Sequence, residues 1–401
     1  MGAYLFSVPA FAYSEFSGFS IIPQITGALL VAYAILDIIR RKSIKIPNEI
    51  WLYGFVGLWA AITFFLSSSI NEGGALSLGT IVKVVVAALA CAQLIKNETD
   101  FFTALNIFVF SILFVLYLNR TDLKLLRMAG QIRETDRFAG TLANANYAAL
   151  FSLTVIWASI LLLLHFRKWL LGRALFLIPI GLSLLIIYYS GSKRGLIGVG
   201  LFVLFFARLL YIRQRSSFYK KSLVILISSS LIIIAGYFVY TSPFFFRIEQ
   251  LFYGGSDSDI NRLDLAREAI SVWLMNWETF FIGVGQGNFK FVSYQQTYSH
   301  VTPLELLANL GIIGFFLFMG FLFLLFRKFI FLYRNTFDQE LKGVFYYTLV
   351  FLFFYSISML TSVLYDSREL MPIFGCLAAF GQYHVGLMGQ NQINELAVSV
   401  L

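Results

Sequence analysis

The chain has 401 residues, 59% of them hydrophobic and only 13% charged, with 30 Lys and Arg against 21 Asp and Glu and a net charge of +9. Mean hydropathy is +0.79, and apolar runs of about twenty residues, the length that crosses a bilayer core, recur along nearly the whole chain. This composition excludes a soluble globular enzyme, and the lack of any CxxC, HExxH or Walker-type Gly-rich loop argues against nucleotide-driven chemistry.

In chain order, spans are predicted near 3–17, 20–39, 50–68, 76–95, 101–119, 146–164, 173–190, 195–212, 222–241, 304–326, 343–363 and 373–390. Ser14 and Glu15 interrupt the first, so the count is eleven or twelve. The N-terminus has neither a basic n-region nor a convincing small-residue cleavage site, and no removable signal peptide is expected. Cys91 and Cys376 both fall inside apolar runs, where a disulfide framework or a thiolate metal site is not expected. The fold class is therefore an all-α polytopic membrane protein. It divides into an N-terminal bundle over 1–241 with an outer loop at 120–145, a loop domain over 242–303, and C-terminal spans over 304–401.

Loop charges set the orientation. Arg40, Arg41, Lys42 and Lys45 form one basic loop, Arg167, Lys168 and Arg173 a second, Arg213, Arg215, Lys220 and Lys221 a third, and Arg327, Lys328, Arg334 and Lys342 a fourth. All four fall on one side under strict alternation, which the positive-inside rule makes cytoplasmic. The long polar segments 120–145 and 242–303 then face outward. They too are rich in cations, among them Arg137, Arg262 and Arg267. Asp264, Glu268 and neighbouring acids account for some of these as ion pairs. Lys193 and Arg194, in the tight turn Gly191-Ser192-Lys193-Arg194-Gly195, have no acidic neighbour in sequence, and an anionic ligand would explain them.

Three side chains stand out on that outer side. Arg194 sits in a connection of a few residues between two spans, where rigid helices hold its planar fork in place to meet phosphate oxygens bidentately. Arg262 opens a segment with apolar residues at 263, 266, 270, 273 and 277, the spacing of an amphipathic helix lying on the membrane surface with Trp273 and Trp277 at headgroup level. Gly283-Val284-Gly285-Gln286-Gly287 follows, its glycines suited to a plain turn or to close backbone approach. His300 is one of three histidines in the chain, and the topology puts the other two, His165 and His384, near the opposite face. Its ordinary pKa lies near neutrality. Thr302 as N-cap, Pro303 at the first helical position and Glu305 as a capping-box partner predict a helix start that fixes His300 at the mouth of the bundle. Gly311 and Gly314 would let a neighbouring span pack closely on that helix.

Four segments in this order resemble the O-antigen ligase and polymerase superfamily. They are "RFAGTLANANYAAL" with Arg137, Gly140, Thr141, Asn144 and Asn146; "SGSKRGLIG" with Arg194; "NRLDLAREAISVW…FIGVGQGNF" led by Arg262; and "HVTPLELLANLGIIG" with His300, Leu304, Gly311 and Gly314. The resemblance implies a membrane glycosyltransferase similar to the GT-C type. Such an enzyme transfers a glycan from an undecaprenyl-pyrophosphate carrier to a sugar hydroxyl at the periplasmic face of a bacterial inner membrane. It also implies roles: His300 as base on the acceptor hydroxyl, Arg194 and Arg262 stabilising the leaving pyrophosphate, and Arg137, Lys193, Arg267, Asn146 and Glu305 as substrate-binding residues. No metal, cofactor or nucleic-acid partner is expected, and a single displacement would invert the anomeric centre. Where family ligases carry Asn, Ser or Gln after the histidine, this chain has Val301, which tilts the reading toward a polymerase. A protein O-oligosaccharyltransferase is the alternative of the same chemistry. A lipid-linked oligosaccharide flippase or transporter is disfavoured because only Lys83 lies deep within a span.

Overall fold

The computed structural model describes residues 1–10, 21–67, 72–118, 145–166, 170–213 and 257–400. Arg137, the rest of the 120–144 loop, the predicted span 222–241 and the side chain of Lys193 lie outside this description. Every regular element among the described residues is helical. In order these are α1 (Gly2–Ser7, continued by a 3-10 turn at Val8–Ala10), α2 (Ile21–Arg41), α3 (Asn48–Leu66), α4 (Glu72–Leu94), α5 (Glu98–Leu118), α6 (Ala145–His165), α7 (Leu170–Ser190) and α8 (Lys193–Arg213). After the undescribed stretch come α9 (Asp257–Trp273), α10 (Trp277–Phe281), α11 (Phe289–Val292), α12 (Thr302–Asn335), α13 (Gln339–Met359) and α14 (Met371–Val400). Seven of these helices, α2 to α6 together with α12 and α13, are long and apolar enough to cross a membrane. The chain is an all-α polytopic membrane protein.

Helices are what such a sequence must form, because a backbone inside hydrocarbon has to satisfy its own hydrogen bonds. Which helices sit inside the bundle follows from their residues. α6 is buried on almost every side, with Trp157 fully enclosed and stacked on Phe351 of α13 at 4.3 Å. α2, at the other extreme, exposes most of its Ile and Leu side chains, as a lipid-facing helix does. α12 runs nine residues past the predicted end at 326, so Arg327, Lys328 and Arg334 are helical rather than loop residues. Lys328 is largely buried. It pairs with Glu49 of α3 and donates to Gln382 Oε1 of α14 at 3.0 Å, tying three helices together.

Two departures from regular helix shape the end of the bundle that carries His300. The first is a break in α12 at Gly311, whose φ is +64° and ψ −170°. A break frees the carbonyls of the preceding turn, and here each one is taken. Val284 N donates to Ala308 O at 2.8 Å, Gly285 N to Asn309 O at 3.0 Å, and Trp59 Nε1 of α3 to Leu310 O at 2.8 Å. The glycine turn thus approaches α12 itself: a Cβ on Gly283 would lie 2.4 Å from the carbonyl carbon of Asn309, and one on Gly311 2.2 Å from Phe281 O. Gly314 packs against Trp59 of α3 as a close span contact, but Gly311 admits the 281–282 backbone rather than a span. Gly311→Ala is expected to cost about 1–3 kcal/mol for a positive-φ, extended-ψ conformation that is essentially glycine's alone and a further ~1–3 kcal/mol for the clash. A clear fall in the thermal unfolding midpoint of the solubilised protein is the check, and an unchanged midpoint would refute this account of the break.

The second departure is the strap joining α13 to α14, residues 360–370. It folds into the bundle: Arg368 Nη2 reaches Thr80 Oγ1 at 2.8 Å, and Thr80 lies eight residues along α4, about 12 Å from its start at ~1.5 Å per residue. Non-helical backbone at that depth needs internal partners, and five successive carbonyls have them. Thr361 O accepts from Arg194 Nη2 at 2.7 Å, Ser362 O from the Thr302 hydroxyl, Val363 O from Tyr147 Oη, Leu364 O from Tyr355 Oη at 2.9 Å, and Tyr365 O from Tyr53 Oη at 2.8 Å. The five donors come from α8, α12, α6, α13 and α3, so the strap is tied to five helices at once.

Candidate functional site

His300 ends the loop that precedes α12. Its φ is +60°, a left-handed conformation that non-glycine residues adopt uncommonly, at a cost of order 1–3 kcal/mol. The surrounding bonds hold it there. Ser299 N donates to Glu305 Oε2 at 2.7 Å, Val301 N to Ser299 Oγ at 3.3 Å, and Thr302 N to Ser362 O at 3.2 Å. The Tyr298 ring lies 4.3 Å from the imidazole, centroid to centroid.

The helix start differs from the capping box expected at Thr302 and Glu305. Val301 is the N-cap and makes no side-chain capping bond, while Pro303 does occupy the first turn. Thr302 spends its hydroxyl on the strap, donating to Ser362 O and accepting from Leu364 N at 2.9 Å. Glu305, only 4% exposed, accepts from Ser299 N and, at 2.8 Å, from Asn309 Nδ2. A carboxylate placed between these two donors braces the His300 turn rather than the helix end. Asn309 in turn accepts from Phe289 N at 2.9 Å, which links the brace to α11.

Arg194 is the second residue of α8. It follows a two-residue turn in which Gly191 has φ +55°, and Ser192 Oγ is 3.1 Å from Asn146 Oδ1 at the start of α6. Asn146 therefore supports the turn that presents Arg194. The guanidinium is held as a fork, Nη1 to Ser362 Oγ and Nη2 to Thr361 O. Arg262 comes from α9. That helix forms where expected, but its buried residues are Leu265, Ala269 and Val272, the last two packed with Phe289 and Ala308. Leu263 and Ile270 of the predicted stripe are exposed. The helix carries two apolar faces, and the one that docks on α12 is the smaller-residue face, which permits closer approach. Trp273 stacks on Phe280 at 5.1 Å and donates to its carbonyl at 3.0 Å, whereas Trp277 is 79% exposed. Arg267 is exposed and pairs with Asp264 at 3.5 Å, the intrahelical ion pair that the sequence allows.

Three elements thus converge. Burial, then the charge of Arg262, then that of Arg194 push the His300 pKa down to about 4. Both cations, from α8 and α9, are near enough for their fields to be felt at the imidazole. The neutral ring is the form that can accept a proton, and it prevails at all pH values well above 4. Removing a cation weakens the penalty on the imidazolium, so the pKa should rise toward 6.5. An NMR titration of ring-labelled histidine is expected to give a midpoint near 4 in the wild type and a higher one in Arg262→Gln; identical midpoints would remove Arg262 from the site.

Sequence reasoning missed the strap. Thr361 and Ser362 belong to no recognisable motif. The one available signal was the run Asp366-Ser367-Arg368-Glu369, three charges in a short connection between apolar spans on the His300 side.

No curated protein matches the chain. Residues 178–319, which include Arg194, Arg262, Glu305 and His300, match the family model described as O-antigen ligase, and over this stretch the chain is similar to that family.

Proposed function

We propose that this protein transfers a glycan from a polyprenyl-pyrophosphate carrier to a sugar hydroxyl, at the extracytoplasmic face of a bacterial inner membrane. The observation that carries the reading is the placement of Arg194, tied through Ser362 to Thr302, two residues after His300, with the charges of Arg262 and Arg194 both acting against protonation of the imidazole. A sugar hydroxyl is a poor nucleophile and needs a positioned base; neutral His300 takes its proton as the oxygen attacks the anomeric carbon. The bond to the carrier pyrophosphate breaks as the new glycosidic bond forms. Negative charge then gathers on the leaving pyrophosphate, where fixed cations beside a low-dielectric membrane are most effective. The product is an inverted glycoside with the carrier released as its pyrophosphate, and no metal is required by this scheme. Lys193, Arg267 and Arg137 are the further cations available to a polyanionic donor, and Asn146 and Glu305 would contribute through the turns that they support.

Val301 beside the histidine favours a polymerase, whose acceptor is a second lipid-linked repeat, over a ligase. The test is transfer by the purified protein in nanodiscs, given a lipid-pyrophosphate-linked repeat either alone or with a lipid A–core acceptor, in EDTA. A ladder of lengthened lipid-linked products is expected. A single transfer onto the core would reassign the protein as a ligase, and no transfer to either sugar acceptor would overturn the reading.

A further inference from the structure

We propose that Ser362 is a positioning residue that sets the Arg194 guanidinium against His300, an inference that rests on the function proposed for that site. Ser362 stands at the junction of the two. Its hydroxyl accepts from Arg194 Nη1, and its carbonyl accepts from Thr302 N at 3.2 Å and from the Thr302 hydroxyl. Thr302 follows His300 by two residues. The path from cation to base therefore runs through one serine, one threonine and two peptide units, all held by hydrogen bonds. Two acceptors on adjacent strap residues fix its plane, which is what bidentate recognition of a phosphate group needs.

The hydroxyl can be separated from the fold. The strap is fastened to α12 by the Ser362 carbonyl and by Leu364 N on Thr302 Oγ1 at 2.9 Å, and neither bond uses the Ser362 side chain. Ser362→Ala should therefore leave the strap in place and remove one of the arginine's acceptors, while Ser362→Thr retains it. Should the alanine variant fail to fold, Ser362→Cys keeps the volume and offers only a weak acceptor.

The readout exploits the three histidines of the chain. Full-length protein with ring-labelled histidine is titrated in nanodiscs, with His300 assigned by its loss in His300→Gln. The groups acting on this imidazole are Arg194 from α8, Arg262 from α9, the Tyr298 ring of its own loop and, through Ser299, Glu305 of α12. In Ser362→Ala the midpoint is expected to rise from about 4 by roughly half a unit or more as the Arg194 charge moves off. It should return to the wild-type value in Ser362→Thr. Glycan transfer should fall by about tenfold in kcat with the donor KM little changed, the pattern of an interaction made in the transition state. An unmoved midpoint in Ser362→Ala, or a midpoint displaced equally in Ser362→Thr, would overturn the proposal. A moved midpoint in a protein that transfers no glycan would uphold the positioning of Arg194 and refute the proposed function instead.

Discussion

His300→Ala is expected to lower glycan transfer by about 10²–10⁴-fold, the usual contribution of a positioned general base, with the donor KM within a few-fold of wild type. The imidazole is held in an unusual backbone conformation, φ +60°, at the meeting point of two cations. A residue that served only to start α12 would not need that conformation, since Val301 is the N-cap and Pro303 occupies the first turn. The Ser299–Glu305 bond and the Thr302–strap bonds do not involve the His300 side chain, so folding should survive the change. Steady-state kinetics alongside the unfolding midpoint check both halves. Wild-type kcat in a well-folded His300→Ala protein would remove the base from the mechanism.

Arg194→Gln is expected to reduce kcat by about 10²–10³-fold, the cost of losing one preorganised group that stabilises charge in a transition state. Arg194→Lys keeps the charge but replaces a planar fork by a point charge. It can no longer satisfy Ser362 Oγ and Thr361 O in the same geometry, so it should recover only part of the loss. A lysine variant with full activity would mean that charge alone matters and that the strap contact is incidental. The glutamine variant should also titrate His300 at a higher pH, because the cation that opposed protonation is gone. The acidic limb of the rate profile then moves up while the neutral-pH rate falls.

Much of the architecture is legible in the sequence because one force dominates it. Runs of Leu, Ile and Phe of bilayer length can only be helices, and the predicted spans at 50–68, 76–95, 101–119, 146–164 and 343–363 coincide closely with α3, α4, α5, α6 and α13. Arg194 beside a tight interhelical turn and His300 just before a helix with proline in its first turn are local features, and both positions can be picked out from the sequence. What was not legible depends on long-range contact. The buried face of α9 turns on which of its two apolar stripes meets Phe289 and Ala308, and periodicity alone ranks the larger stripe first. Gly311 reads as a packing glycine in a helix, yet it is a break whose freed carbonyls are capped by Val284, Gly285 and Trp59, partners as far as 251 residues away in sequence. The strap at 360–370 is the largest omission. Its order comes from hydroxyls and a guanidinium on five different helices, and no local pattern in "LTSVLYDSREL" announces that.

The most direct test of the central claim is the stereochemistry of a single turnover. The purified protein in nanodiscs would be given an anomerically defined lipid-pyrophosphate glycan with EDTA present, and the new linkage and the released carrier pyrophosphate followed by NMR. Direct displacement by a His300-activated hydroxyl, with Arg194 and Arg262 on the leaving group, predicts one inverted linkage for each carrier released. A retained linkage would require a covalent glycosyl intermediate, for which neutral His300 is not acting as the base on the acceptor, and would contradict the mechanism.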